Sequence, residues 1–286
     1  MQTLGVVANC TKERARDVLL RLVRKARELG IALRADADAA ALVKGELRAA
    51  GGDLADQVDA MLALGGDGTM LRVMRMLEGR DKPVIGVNLG SLGFLTSVTE
   101  ESLEHALECL AQDRYTTSAR SIAECTVVRG KKEISLLRAL NDIVVARGAA
   151  PRVVTLNVSV GGDRVTSYVC DGLIVATPTG STGHSLSAGG PILAPETKAF
   201  LISLVCPHSL SSRPLVVPDE AEIIVTVEDA DGPLLLAADG QIGGSLGVGD
   251  RVVIRRSARG VRFIHLPGYS YYDVLRRKLG WRGSSV

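Results

Sequence analysis

Residues 60–78 read AMLALGGDGTMLRVMRMLE: an apolar run, a glycine cluster around one acid, then a run with helical periodicity. Strand, tight turn and helix in that order predict an α/β unit. Gly65, Gly66 and Gly68 allow backbone conformations that other residues resist, and their N–H groups can form a concave nest for phosphate oxygens. The helix that follows adds its N-terminal donors and the positive end of its dipole. Thr69 is placed to cap that helix or to touch phosphate. No G-K-[ST] follows, so this is not the Walker pattern. Asp67 is then the informative residue. A carboxylate inside a phosphate nest is unfavourable unless it coordinates Mg²⁺ or accepts a hydroxyl proton. The plain alternative is a strand–helix turn with an aspartate cap.

Upstream, residues 3–9 (TLGVVAN) read as a buried strand. Residues 12–29 carry Val18, Leu19, Leu22, Val23, Ala26 and Leu29 at helical spacing, and Gly30 ends that helix. An Ala-rich helix is predicted around 38–50, a strand over 83–88 and an amphipathic helix over 100–112. After about residue 118 the texture changes to β-branched runs at 123–128, 134–145, 153–160, 165–176, 214–217, 222–228, 233–238 and 251–265. Gly161-Gly162-Asp163 and Asp239-Gly240 read as hairpin turns. Residues 269–279 read as a last helix. The division expected is an N-terminal α/β domain over 1–118, a β domain over 119–268, and a C-terminal helix and tail over 269–286.

Composition narrows the function. The 286 residues are 46% hydrophobic but only 3% aromatic, so the core must be aliphatic. A net charge of +2 without a basic stripe argues against nucleic acid as partner. The one basic cluster, Arg276, Arg277, Lys278 and Arg282, reads as a solvated helix terminus. Five cysteines, an odd number with no C-x-x-C pair, fit a reducing compartment better than a disulfide framework or a zinc site. No basic leader and no apolar stretch near ~18 residues is evident. A cytoplasmic protein without a membrane partner is expected.

Three further features carry chemistry. The stretch 171–191, DGLIVATPTGSTGHSLSAGGP, passes from strand to loop and holds three threonines, three serines and five glycines before Pro191. Hydroxyls and free amides suit ribose and phosphate. Asn141-Asp142 offers an amide and a carboxylate at the start of Ile143-Val144-Val145. Pro207-His208 and Ser212-Arg213-Pro214 are polar breaks that in isolation read as turns. After the first strand comes Ala8-Asn9-Cys10-Thr11, with no G-x-G-x-x-G, so a dinucleotide held as a redox cofactor loses its main support.

Taken together, these residues resemble the NAD kinase family. GGDGT at 65–69, the Asn–acid pair at 141–142 and DGLIVATPTGST at 171–182 stand in the family's order. LGSLGFLTSV at 89–98, CPHSLSSRPLVV at 206–217 and YYDVLRRKLGW at 271–281 look like further family segments. GGDGT alone is shared with diacylglycerol and sphingosine kinases and loosely with 6-phosphofructokinases; the combination is more specific. The resemblance runs from about residue 60 onward. It implies an α/β nucleotide domain joined to a β-sandwich domain, with the site in the cleft between them. It also implies transfer of phosphate from ATP, another triphosphate or polyphosphate to the 2′-hydroxyl of the adenosine ribose of NAD or NADH. NAD is then a substrate, Mg²⁺ or another divalent cation the cofactor, and a homodimer or homotetramer the assembly. By similarity Asp67 is the catalytic carboxylate, and Gly65, Gly66, Gly68 and Thr69 bind donor phosphates. The NAD contacts are Asp67 and Gly68, Phe94 near adenine, Asn141 and Asp142 at ribose or diphosphate, Asp171 toward nicotinamide, and Thr182, Gly183, His184 and Ser187 around adenosine. No metal ligand is assigned. This chain has Gly183-His184 where relatives usually have Ala-Tyr, and Asp142 where they often have Glu. A lipid kinase sharing GGDGT and a sensor that binds without turnover are the rival readings.

Overall fold

The computed structural model describes residues 1–90, 93–148 and 152–281, and the chain forms two compact units, Met1–Ala119 with Val261–Val286, and Arg120–Gly260. In the first unit the elements are β1 (Thr3–Ala8), α1 (Ala15–Glu28), β2 (Ala32–Ala35), α2 (Ala37–Leu42), β3 (Ala60–Gly65), α3 (Asp67–Leu77), β4 (Val84–Asn88), β5 (Val98–Thr99), α4 (Leu103–Ala111) and β6 (Thr116–Arg120). β3 and β4 are buried at every position, as the strands of a parallel sheet covered on both faces should be. On α1, Ala15, Val18, Leu19, Leu22, Val23 and Ala26 form the buried stripe. Gly30, at φ +71°, ends that helix as its sequence predicts.

The Ala-rich helix is shorter than its sequence suggests. Asp36 caps α2 through the amide of Ala39 at 3.1 Å, but the helix ends at Leu42. Gly45 then sits at φ +84°, which an α-helix cannot continue.

The second unit holds β7 (Ala123–Arg129), β8 (Lys132–Ala139), β9 (Asp142–Arg147), β10 (Val154–Val160), β11 (Asp163–Cys170), β12 (Gly172–Ala176), α5 (His184–Ser187), β13 (Ala199–Val205), β14 (Leu215–Pro218), β15 (Ile223–Asp229), β16 (Leu234–Ala238), β17 (Gln241–Leu246) and β18 (Arg251–Arg256). Two six-stranded antiparallel sheets result, ordered β11-β10-β15-β18-β7-β8 and β14-β13-β12-β9-β16-β17. Their inward residues, among them Ile143, Val145, Leu173, Val175, Phe200, Val225 and Ile254, make one mostly aliphatic core. Both hairpin turns are as read: Gly161-Gly162 at φ +62° and +94°, and Asp239-Gly240 at +49° and +74°.

Three long β-runs are divided by tertiary context. Run 134–145 breaks at Leu140-Asn141, whose amides bond the Asp239 carboxylate instead of a ladder. Run 165–176 breaks at Asp171, and its halves join different sheets. Run 251–265 breaks at Ser257–Gly260. Its second half, β19 (Val261–His265), returns to the first unit and lies in the order β2-β1-β3-β4-β19-β6, with β5 paired to β4. The last helix, α6 (Tyr271–Leu279), belongs to that unit too, and β19 does not extend the β domain as the 119–268 division implied. Ser270 caps α6 at the amide of Asp273, 3.3 Å, and Gly280 at φ +66° closes it. Arg282 lies outside the described residues. Among the described residues no helix is long and apolar enough to cross a membrane.

Candidate active site

In the first unit the strand order places β2 on one side of β1 and β3 on the other. Such a reversal leaves a crevice at the carboxyl ends of the strands. A cavity of about 550 Å³ opens there, lined by Ala8 and Asn9 after β1, Gly65 to Thr69 after β3, and Asn88 to Gly90 after β4. Of the residues that the sequence singled out, Gly65, Gly66, Asp67, Gly68 and Thr69 line this cavity, at the place where an open α/β sheet takes its ligand.

Asp67 is the first residue of α3. Its carboxylate accepts the Phe94 amide at 2.9 Å on Oδ2 and the Leu95 amide at 3.0 Å on Oδ1. Each oxygen keeps a second lone pair for a ligand. The Asp67 and Gly68 amides have no acceptor within the helix, as for any first turn. The loop that holds Asp67 is pinned in turn: the Thr96 hydroxyl accepts the Gly93 amide at 3.1 Å and the Asn88 side-chain amide at 3.2 Å.

The glycines act differently from the expectation of unusual backbone angles. None of Gly65, Gly66 and Gly68 has a positive φ. Gly65 is required by space, since a Cβ there would stand 2.1 Å from Thr69 Oγ1, whereas one on Gly66 or Gly68 would meet nothing within 4 Å. Those two leave the cavity floor bare, so an anion can approach the backbone. Thr69 is buried, and its hydroxyl stands 3.5 Å from the Gly66 amide, a loose cap.

In the second unit Asn141 and Asp142 open β9 beside the Thr177–Thr182 segment. Asp239 accepts the amides of Leu140 at 2.9 Å, Asn141 at 2.7 Å and Asp142 at 3.3 Å. The Asn141 carbonyl accepts the Thr177 amide at 2.8 Å. Gly180 lies so close that a Cβ would stand 2.1 Å from the Asn141 oxygen. Burial, then the Asp239 charge, pushes the Asp142 carboxyl up to about 6. Thr182 donates its hydroxyl to the Thr179 carbonyl at 3.2 Å, while Gly183, His184 and Ser187 are exposed. Ser185, not singled out in the sequence, is buried and paired with Ser203 at 2.8 Å, anchoring α5.

Asp171 is not brought to this group. Ala176 pairs with Asp142 and Gly172 with Ala146, so Asp171 lies at the far end of the β9–β12 pair, ion-paired to Arg147 at 3.0 Å. Five residues of strand separate the two ends, roughly 17 Å at about 3.3 Å per residue.

The N-terminal domain model described as "ATP-NAD kinase N-terminal domain" matches residues 4–115, and the "ATP-NAD kinase C-terminal domain" model matches 140–266. A protein of Gemmatimonas aurantiaca, NAD kinase, is 43% identical over 229 residues, 80% of this chain and 79% of that protein. The chain belongs to the NAD kinase family. An NAD kinase of Chlorobium luteolum is 38% identical over 277 residues, 97% of this chain and 96% of its own length. The fold matches the crystal structure of yeast NADH kinase complexed with NADH at a TM-score of 0.92 and 25% identity, covering 100% of this chain and 89% of that one. An NAD kinase from Archaeoglobus fulgidus in complex with ATP matches at 0.76 and 25%, covering 98% of each chain.

Membership in the NAD kinase family makes the chain a phosphotransferase and sets aside the lipid kinases that share GGDGT. Gly93, Thr96, Asn88, Gly180 and Asp239 escaped sequence reasoning. Gly93 and Thr96 stood inside the quoted segment 89–98, of which Ser91 and Leu92 lie outside the described residues. Asp239 was visible only as a hairpin residue, and nothing local signals that its carboxylate reaches back 98 positions to Asn141.

Proposed function

We propose that this NAD kinase transfers the terminal phosphoryl group of ATP, or of another polyphosphate donor, to the 2′-hydroxyl of the adenosine ribose of NAD or NADH. The observation that carries the reading is Asp67, held by two backbone amides at the mouth of a glycine-floored cavity. The donor's phosphates lie on the amides of Gly65, Gly66 and Gly68 and near Thr69. Asp67 accepts the hydroxyl proton as the sugar oxygen bonds to phosphorus and the bond from phosphorus to the leaving diphosphate breaks. Phosphoryl transfer has a loose transition state, so alignment and charge neutralisation carry most of the catalysis. The amides that grip Asp67 fix its direction, which a free carboxylate would have to find.

Phe94, Asn141, Asp142, Asp171, Thr182, Gly183, His184 and Ser187 form the acceptor contacts in this reading. Asp171 lies far along the strand from Asn141, so it meets a different part of an extended dinucleotide. A homo-oligomer fits that separation, because a second copy can supply such a residue.

Among the described residues no group of three or more His, Cys, Asp or Glu stands together as a metal cage. Mg²⁺ would then be held mainly by phosphate oxygens, with Asp67 a carboxylate in the same cavity, and would neutralise donor charge. All five cysteines are free, which supports a reducing cytoplasmic setting.

The test is NADP formation by the wild-type chain and by Asp67→Asn, with each donor and with NAD or NADH. A loss of ~10²–10⁴ in turnover is the weight of a general base. Turnover near wild type would remove Asp67 from the role.

A further inference from the structure

The cavity at the GGDGT turn has three cations in its lining, Lys12, Arg72 and Lys278. Arg72 is committed to Asp36 and Asp38. Among the described residues, Lys12 and Lys278 have no acidic partner for their ammonium groups. Lys278 sits one turn after buried Val274 on α6 and so shares the face by which that helix packs. Its Nζ stands 5.5 Å from the centroid of the Phe94 ring. Phe94 thereby touches both charges: its ring faces Lys278, and its amide holds Asp67 at 2.9 Å. The neighbouring Arg276 is turned back onto Asp273 of its own helix at 2.5 Å.

We propose that Lys278 is a ligand for the donor's phosphate chain, its ammonium binding phosphate oxygens in the cavity that Asp67 and Gly66 to Thr69 line. The inference rests on the assignment of that cavity to the donor. Backbone amides offer only partial charges to a polyanion, and Asp67 adds a negative charge. A full compensating charge must come from a cation not already neutralised, which excludes Arg72 and leaves Lys12 and Lys278, of which Lys278 is the one set against the Phe94 ring whose amide holds Asp67. An ammonium is a compact point charge with three donors, suited to oxygens whose arrangement changes as phosphorus moves between partners. The ring beneath Lys278 holds the charge near the reacting carboxylate without pairing to it.

The experiment compares Lys278→Met, Lys278→Arg, Arg277→Met and Asp67→Asn in the full chain. Steady-state rates are measured with ATP and NAD, and binding of inorganic tripolyphosphate is measured by calorimetry. Lys278→Met is expected to raise the donor KM and weaken tripolyphosphate ~10-fold, with the NAD KM within about twofold, and Lys278→Arg to recover most of the loss. Arg277→Met should match wild type. Thermal melts establish that each variant is folded. Unchanged tripolyphosphate binding by Lys278→Met overturns this inference alone, provided that Asp67→Asn has lost turnover. If wild type fails to bind tripolyphosphate in competition with ATP, or Asp67→Asn turns over normally, the assignment of the cavity falls and this inference with it.

Discussion

A Cβ built on Gly93 would stand 1.9 Å from Asp67 Oδ1 and 2.6 Å from its carboxyl carbon. The loop and the carboxylate thus occupy one another's van der Waals surface, and the Phe94 and Leu95 amides close the contact. Gly93→Ala must displace one of them. Turnover should fall ~10²-fold, the cost of moving a reacting group by about 1 Å. Stability should fall by about 1–3 kcal/mol through overpacking. Steady-state assay and urea unfolding read the two effects. An alanine variant with wild-type turnover would mean that Asp67 needs no fixed direction.

Asp142 carries a predictable pH dependence. Burial and the Asp239 charge raise its carboxyl from 3.8 to about 6, so the folded chain binds this proton more tightly than the unfolded chain. Stability from this group is therefore greatest below pH 4 and is lost as pH rises from about 4 to about 6. Asp142→Asn should stabilise the fold at pH 7 by up to ~3 kcal/mol, with no gain near pH 4. It should also raise the NAD KM if Asp142 contacts the acceptor. Thermal melts across pH 4–8 check the first outcome, and an equal shift at every pH would rule out the linkage.

Asp239 holds three consecutive amides, Leu140 to Asp142, at the break that leads into β9. Asp239→Ala should cost about 2–4 kcal/mol, since each buried amide left without an acceptor costs roughly 1–3 kcal/mol and part can be recovered by water. The residue also sits at φ +49°, which aspartate and asparagine tolerate better than alanine. The kinetic signature should be a higher NAD KM with the donor KM unchanged. Equal rises in both would point to general loosening of the fold.

Gly180 and Gly183 stand three residues apart and should respond very differently. A Cβ on Gly180 would meet the Asn141 carbonyl oxygen at 2.1 Å, a backbone atom that cannot step aside, whereas one on Gly183 would lie 3.4 Å from the Gly180 oxygen. Gly180→Ala should cost roughly 2 kcal/mol or more, at the upper part of the overpacking range. Gly183→Ala should be within ~0.5 kcal/mol of wild type, like most exposed substitutions away from strained sites. Paired with His184→Tyr, Gly183→Ala creates an Ala-Tyr pair, and the larger ring should lower the NAD KM. Denaturant titration of the single variants and kinetics of the double variant test this.

The sequence by itself determined the α/β start, the β-rich remainder and the glycine turn between β3 and α3. These are written locally. Period-3.6 and β-branched runs set the elements, and a glycine cluster between strand and helix leaves amides bare. The end of α1 was legible at Gly30, a glycine that the structure places at positive φ. Only the tertiary structure decided what orients the acid, because the amides of Phe94 and Leu95 lie 27 and 28 residues from Asp67. It also decided that β19 leaves the β-rich unit, since a short run of Val, Phe and Ile pairs equally well with any open edge until packing selects one. Asp239 is the sharpest case. Hydrogen-bond partners of a carboxylate are set by which strands become neighbours, and no local pattern around residues 239–240 records that choice.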